Sequence, residues 1–167
     1  MERIMIIGCG GAGKSTLARQ LGEKLKLPVV HLDQIWWKPG NWQHLEREEF
    51  DRLLKEEVEK PQWILDGNFN RTMETRLEFC DTVIYLDFSR WICLLSWMKR
   101  VITNWGTARA DMAEGCAEWF DPEMACWIWN FNNTHRENYY RILNEAEGVE
   151  TIVLKNRRAV RKFLKSI

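Results

Sequence analysis

The feature that most restricts this chain is the run G-C-G-G-A-G-K-S at residues 8–15, which satisfies the pattern G-x-x-x-x-G-K-[ST]. A short apolar run at residues 3–7 precedes it. Behind it, Leu17, Ala18, Leu21 and Leu25 mark one face of a helix that closes before Pro28. A phosphate cradle needs strand, glycine turn and helix in that order. Glycines let the backbone curl so that successive N–H groups point at phosphate oxygens, and the helix N-terminus adds the positive end of its dipole. The pattern predicts that Gly8, Gly10, Gly11, Ala12 and Gly13 wrap a nucleoside triphosphate, with Lys14 reaching its β- and γ-phosphates. The Ser15 hydroxyl is placed to hold Mg²⁺, and Thr16 to donate to the α-phosphate. A glycine-rich strand–helix turn without a ligand is the bland alternative.

Strands then alternate with helices. Residues 29–32, 63–65, 82–86 and 151–154 read as further strands. Phe50, Leu53, Leu54 and Val58 predict a helix ended by Pro61, and residues 73–79 a short one. Trp91, Leu94, Leu95, Met98, Val101, Ile102 and Trp105 keep helical spacing. So do Trp127, Ile128, Phe131 and Ile142 within one helix over 124–143, and Val160, Phe163, Leu164 and Ile167 at the end. Residues 33–44, with Trp36, Trp37, Pro39, Gly40 and Trp42, read as an ordered loop. Residues 106–122 lose all periodicity and read as a lid-like segment. The alternation implies an α/β chain, a single domain over 1–167, with a parallel sheet covered on both faces.

Charge is balanced, 24 basic against 24 acidic residues, so no overall field draws the chain to nucleic acid or an anionic membrane. No stretch approaches the roughly 18 uninterrupted apolar residues of a membrane helix. Cys9, Cys80, Cys93, Cys116 and Cys126 are scattered and odd in number, which predicts reduced thiols and a cytoplasmic protein. Cys116, Cys126 and His135 lack the spacing and the fourth ligand of a structural zinc site.

A magnesium–triphosphate site wants a carboxylate at a strand end. Asp33 follows the second strand and Asp66 the third, and in open parallel sheets those ends border the ligand crevice. Asp66, behind an apolar run, is favoured for the metal, while Asp33 serves either the metal or the acceptor. A helix cap and a turn-former are the structural alternatives. Phosphoryl transfer also requires cations on the moving group beyond Lys14. Arg100 lies on the long helix, and Arg109 sits in G-x-x-R-x-D inside the lid-like segment, so both are candidates to stabilise charge. Arg71 and Arg76, close behind Asp66, are candidates with Asn68 for the acceptor pocket.

With those residues assembled, the chain resembles the adenylate-kinase-like branch of P-loop kinases and, more narrowly, the bacterial "DNA topology modulation protein" family. The glycine loop carries the resemblance together with H-L-D (31–33), W-K-P-G (37–40), W-I-L-D-G-N (63–68), Y-L-D-F-S-R-W (85–91), R-A-D-M-A-E-G-C (109–116) and W-I-W-N-F (127–131). The resemblance covers nearly the whole chain. It implies a three-layer α/β/α P-loop kinase fold with a five-stranded parallel sheet in the order 2-3-1-4-5, a lid around residues 100–121, ATP and Mg²⁺ as ligands, and an adenine-side loop near Asn156 and Arg157. True adenylate kinases carry D-G-F-P-R where this chain has D-G-N-F-N-R (66–71), which displaces Arg71 by one residue, so AMP is not implied as acceptor.

At helical spacing, tryptophans read as core or helix-packing residues; Trp37 and its loop neighbours, placed after Asp33, read as acceptor-stacking or loop-anchoring. The basic residues of the last helix read as a solvated face and offer the chain's only support for DNA contact. Two functions follow. The first is an ATP-dependent phosphotransferase acting on a small, unidentified hydroxyl or phosphate acceptor. The alternative is a nucleotide-dependent regulatory or DNA-topology-modulating binding module without such an acceptor.

Overall fold

Apolar, β-branched strands that hide both faces need helices above and below them, and this chain supplies both layers. The computed structural model describes residues 1–40 and 42–167. Its elements run β1 (Arg3–Gly8), α1 (Lys14–Leu25), β2 (Val29–His31), α2 (Leu32–Trp36), α3 (Arg47–Val58), β3 (Trp63–Asp66), α4 (Met73–Phe79) and β4 (Thr82–Leu86). They continue with α5 (Arg90–Thr103), α6 (Pro122–Thr134), α7 (Arg136–Glu145), β5 (Glu150–Leu154) and α8 (Arg157–Ser166). The strands form a five-stranded parallel sheet ordered β2-β3-β1-β4-β5, as the resemblance implies.

β1 is the centre. Ile4 pairs with Ile64 of β3 on one side, and Ile6 with Ile84 of β4 on the other. Residues 4–7 are fully buried, which fixes the height at which the glycine loop leaves the sheet. The register between β2 and β3 sets His31 beside Asp66 at the same sheet edge. The fold therefore delivers the glycine loop and the carboxyl ends of β2 and β3 to one crevice.

Three local differences from the sequence reading have physical causes. The loop over 33–44 begins as the short helix α2, then closes on itself where Trp37 bridges His44 and the Leu45 N–H donates to the Trp36 carbonyl. The helix over 124–143 is two helices. Asn130 and Thr134 side chains bond the carbonyls of Cys126 and Asn130, competing with the helix ladder, and the chain turns at His135 (φ −120°, ψ −28°). Third, α5 buries Cys93, Trp97 and Val101 and leaves Trp91, Leu95, Ile102 and Trp105 outside. Of the stripe expected to be core on that helix, Val101 is inside and Leu94 partly so, while the rest faces solvent because Cys93 and Trp97 supply the face that packs on the glycine loop. Among the described residues, no helix is long and apolar enough to cross a membrane.

Candidate active site

The glycine loop leaves β1 through backbone that favours glycine. Gly8, Gly11 and Gly13 have φ of +147°, +77° and +96°. A Cβ on Gly11 would lie 2.2 Å from the Cys93 carbonyl oxygen, so the loop is pressed against the start of α5. Gly13, in left-handed conformation, caps α1 without any side-chain hydrogen bond, and the first turn of α1 holds no acidic residue. The N–H groups there lack protein acceptors of the capping kind, the arrangement that suits a phosphate. Residues 10–16 line a cleft of about 1090 Å³ that also takes in Asp33, Asp66, the lid and α8. Gly8 is a correction to the predicted cradle. Its N–H donates to Asn68 Oδ1 at 3.0 Å, and it does not line the cleft. Lys14 Nζ donates to the Cys9 carbonyl at 3.2 Å, folded back on its own loop.

Opposite the loop stand the carboxylates. Asp66, 5% exposed, accepts from His31 at 2.8 Å through Oδ2, while its buried Oδ1 has no partner among the described residues. A buried carboxylate oxygen without a partner, beside a phosphate cradle and a serine hydroxyl, fits a hydrated cation better than it fits a packed core. Asp33 is half-buried in the first turn of α2. Burial, and then the Asp66 charge, push its carboxyl up to about 6, against the pull of Lys14 and Arg109.

Residues 104–121, which include most of the segment expected to be lid-like, fold back on themselves as a closed loop. Trp105 bridges Glu118 and Ala108 bridges Ala117, closing a hairpin-like loop. Its tip rests on the tryptophan loop: the Gly40 N–H donates to the Glu114 carbonyl at 2.7 Å, and Gln34 Nε2 to the Ala110 carbonyl at 2.6 Å. Glu118 takes an ion pair from Arg100 Nη2 at 2.8 Å and another from Arg109 Nε at 2.7 Å. Arg109 also pairs with Asp111. Although burial opposes it, Arg109 and then the nearby Ser15 hydroxyl hold the Asp111 carboxyl below its usual range. This segment thus approaches the glycine loop at the side chain expected to hold metal.

No family model matches the sequence, and no curated protein matches it. Among solved structures, the chain is similar to shikimate kinase from Bacteroides thetaiotaomicron, with a TM-score of 0.56 at 16% identity over 99% of this chain and 95% of that one. The two share a fold.

In this fold, Asp33, Trp37, Asn68, Arg100, Arg109 and Arg157 all line the cleft. Arg157 also donates to Ser96 Oγ at 2.6 Å, tying α8 to α5. Two predicted acceptor residues do not reach it. Arg71 forms a bidentate pair with Asp51 at 2.6 and 2.7 Å on the outer surface. Arg76 is fully buried and donates to the carbonyls of Gly67 (2.9 Å), Phe69 (3.1 Å), Thr72 (3.3 Å) and Asn68. That arginine braces the turn after β3, and burial lowers it to about 10. Sequence reasoning missed His31, Arg19, Asp111 and Glu118. Arg19 was available from periodicity, four residues after Ser15 on the same helix face, and Asp111 from its place in the R-x-D run. No local signal marks Glu118.

Proposed function

We propose that this chain is an ATP- and Mg²⁺-dependent phosphotransferase of the adenylate-kinase-like kind. The observation that carries the reading is the uncapped start of α1, wrapped by the glycine loop, facing Asp33 and the unpartnered oxygen of Asp66. The loop N–H groups of residues 10–13 and Lys14 hold the phosphates, and Thr16 reaches the α-phosphate. Ser15 and Asp66 hold the metal, which neutralises charge on the β- and γ-phosphates when bound. Arg100 and Arg109 close over the moving group. Arg157, at the start of α8, borders the base.

The side chains we assign to the acceptor wall are Asp33, Trp37, Trp42, Asn68 and Phe69, none of them a cation, with Lys14 and Arg109 acting on Asp33 from the donor side. The arginines that would bind an acceptor phosphate are engaged elsewhere, Arg71 by Asp51 and Arg76 by backbone carbonyls. Two carboxylates on that side repel an anion. The acceptor is therefore a hydroxyl compound without a phosphate of its own. Asp33 is within the range where a carboxylate takes a hydroxyl proton near neutral pH.

The test is transfer of labelled γ-phosphate from ATP to a panel of alcohols, sugars and nucleosides, set against the corresponding monophosphates. Saturable transfer to a member of the first group, abolished by Lys14→Ala with the fold intact, supports the reading. Transfer to monophosphates alone would overturn the acceptor class. No acceptor at all, with ATP-dependent and salt-sensitive DNA retention, would favour the binding module.

A further inference from the structure

One face of α5 is built for a partner. Trp91, Leu95, Met98, Ile102 and the following Trp105 are spaced four, three, four and three residues apart. That is the alternation of an a/d seam, the pattern two helices use to pack knobs into holes. On this helix the seam points outward, with exposures of 60, 63, 41, 73 and 63% in that order. The opposite face, Cys93, Trp97 and Val101, is buried against the core, so the helix already has its own packing contact and the seam is a second one. None of the five lines the nucleotide cleft, and a role in ligand binding there does not explain them. α5 contains no acidic residue, so no intrahelical ion pair solvates the stripe.

We propose that the seam is the interface of a homodimer, with α5 of one chain packed antiparallel on α5 of a second copy about a two-fold axis. Three features select a second copy. The five side chains expose roughly 600 Å² together, given the 150–250 Å² that a large aromatic presents and the smaller area of an aliphatic one, and a standard interface takes about 800 Å² from each partner, so the seam supplies most of one. Within the helix the seam runs Trp91, Leu95, Met98 and Ile102, and Trp105 flanks it just beyond the helix end, so a reversed copy also sets a tryptophan beside each end. Isologous packing requires that kind of self-complementarity. The antiparallel sense also sets each helix dipole against its opposite.

The interface has a structural consequence for the cleft. Cys93 and Trp97 of the same helix press on Gly11, and Arg100 of the same helix holds Glu118 of the lid. A partner fixing α5 from outside steadies both.

The experiment uses the full chain. Sedimentation equilibrium over a concentration series reads the oligomeric state of the wild type and of Leu95→Glu and Ile102→Glu. The expected result is a wild-type dimer and monomeric variants whose thermal unfolding remains cooperative. A second measurement is independent of whether those variants fold. Met98→Cys, in a Cys126→Ser background that removes the exposed native thiol, should form a disulfide-linked dimer under mild oxidation, whereas a cysteine at Lys55 on the exposed side of α3 should not. A wild type that stays monomeric throughout the series overturns the proposal. So does a monomer that sediments with anionic lipid vesicles, because the seam is then a membrane-facing surface. These results are independent of phosphoryl transfer.

Discussion

Asp33 should make the protein less stable than it would be without the charge. Its carboxyl is moved from an ordinary 3.8 to about 6, first by burial and second by Asp66. A displacement of that size corresponds to about 3 kcal/mol at 1.36 kcal/mol per pH unit. Because the side chain keeps some solvent contact, about 2 kcal/mol is the better figure. The sign follows from proton counts. Between about pH 4 and 6 the folded chain holds the Asp33 proton and the unfolded chain has released it, so stability falls as pH rises through that window. Below it the penalty vanishes, and above it the penalty is complete. Asp33→Asn, which carries no charge at any pH, should therefore be more stable than the wild type by about 2 kcal/mol near pH 8 and roughly equal to it near pH 3. Urea unfolding with a chelator and no nucleotide, run on both proteins across that range, reads the difference directly. The same substitution should abolish most phosphoryl transfer, since the group that destabilises the fold is the one proposed to take the acceptor proton. A stability difference that is flat with pH, or an Asn variant less stable than wild type near pH 8, would refute the reasoning.

Further consequences follow from the loop and its braces. Gly11→Ala drives a methyl to within 2.2 Å of the Cys93 carbonyl at φ +77° and should cost more than about 2 kcal/mol by thermal melting. Gly13→Ala, with open space around its Cβ and only φ +96° to strain it, should cost about 1 kcal/mol. Arg76→Met strips the donors from buried carbonyls and should destabilise by about 3 kcal/mol or more, whereas Arg71→Ala should cost under about 1 kcal/mol and leave transfer unchanged. If Arg71→Ala alone abolishes transfer, the acceptor wall described above is wrong. His31→Leu removes the partner of Asp66 and should raise the Mg²⁺ concentration for half-maximal transfer roughly 10-fold or more; an unchanged magnesium titration counts against Asp66 as a metal ligand.

What the sequence makes legible is what is local. The bounds of β4 can be read from residues 82–86 because an apolar run stands there between Asp81 and Asp87, and those of α4 from residues 73–79 because Met73, Leu77 and Phe79 recur there ahead of the following strand. The donor loop is legible because its chemistry requires a fixed order of residues. Side-chain direction is less so. The pattern on α5 supports two stripes, and only the packing of Cys93 and Trp97 on Gly11 decides which one is inside. Arg76 is misread for the same reason. The carbonyls of Gly67, Asn68 and Phe69 turn inward at a left-handed Phe69 (φ +36°), and nothing adjacent in the sequence announces that they need a donor. Glu118 acquires its role through Arg100 of α5, which it meets only when residues 104–121 fold back on that helix.

The lid contacts bear on the order of events at this site. Arg100 and Arg109 are already neutralised, sharing Glu118, so the two cations proposed for the transferring phosphate are held in a compact, paired state. Burying two guanidinium groups without that carboxylate would be strongly unfavourable. On the proposed function, a triphosphate entering the cleft would bring the replacement charge, and either arginine could then leave Glu118 at little cost. Arg109 touches Asp111 and Glu118 together, so releasing it from one would alter the other. Filling the donor half of the site and rearranging this segment would then be one coupled step, because the charges paired across it are those a bound nucleotide would satisfy.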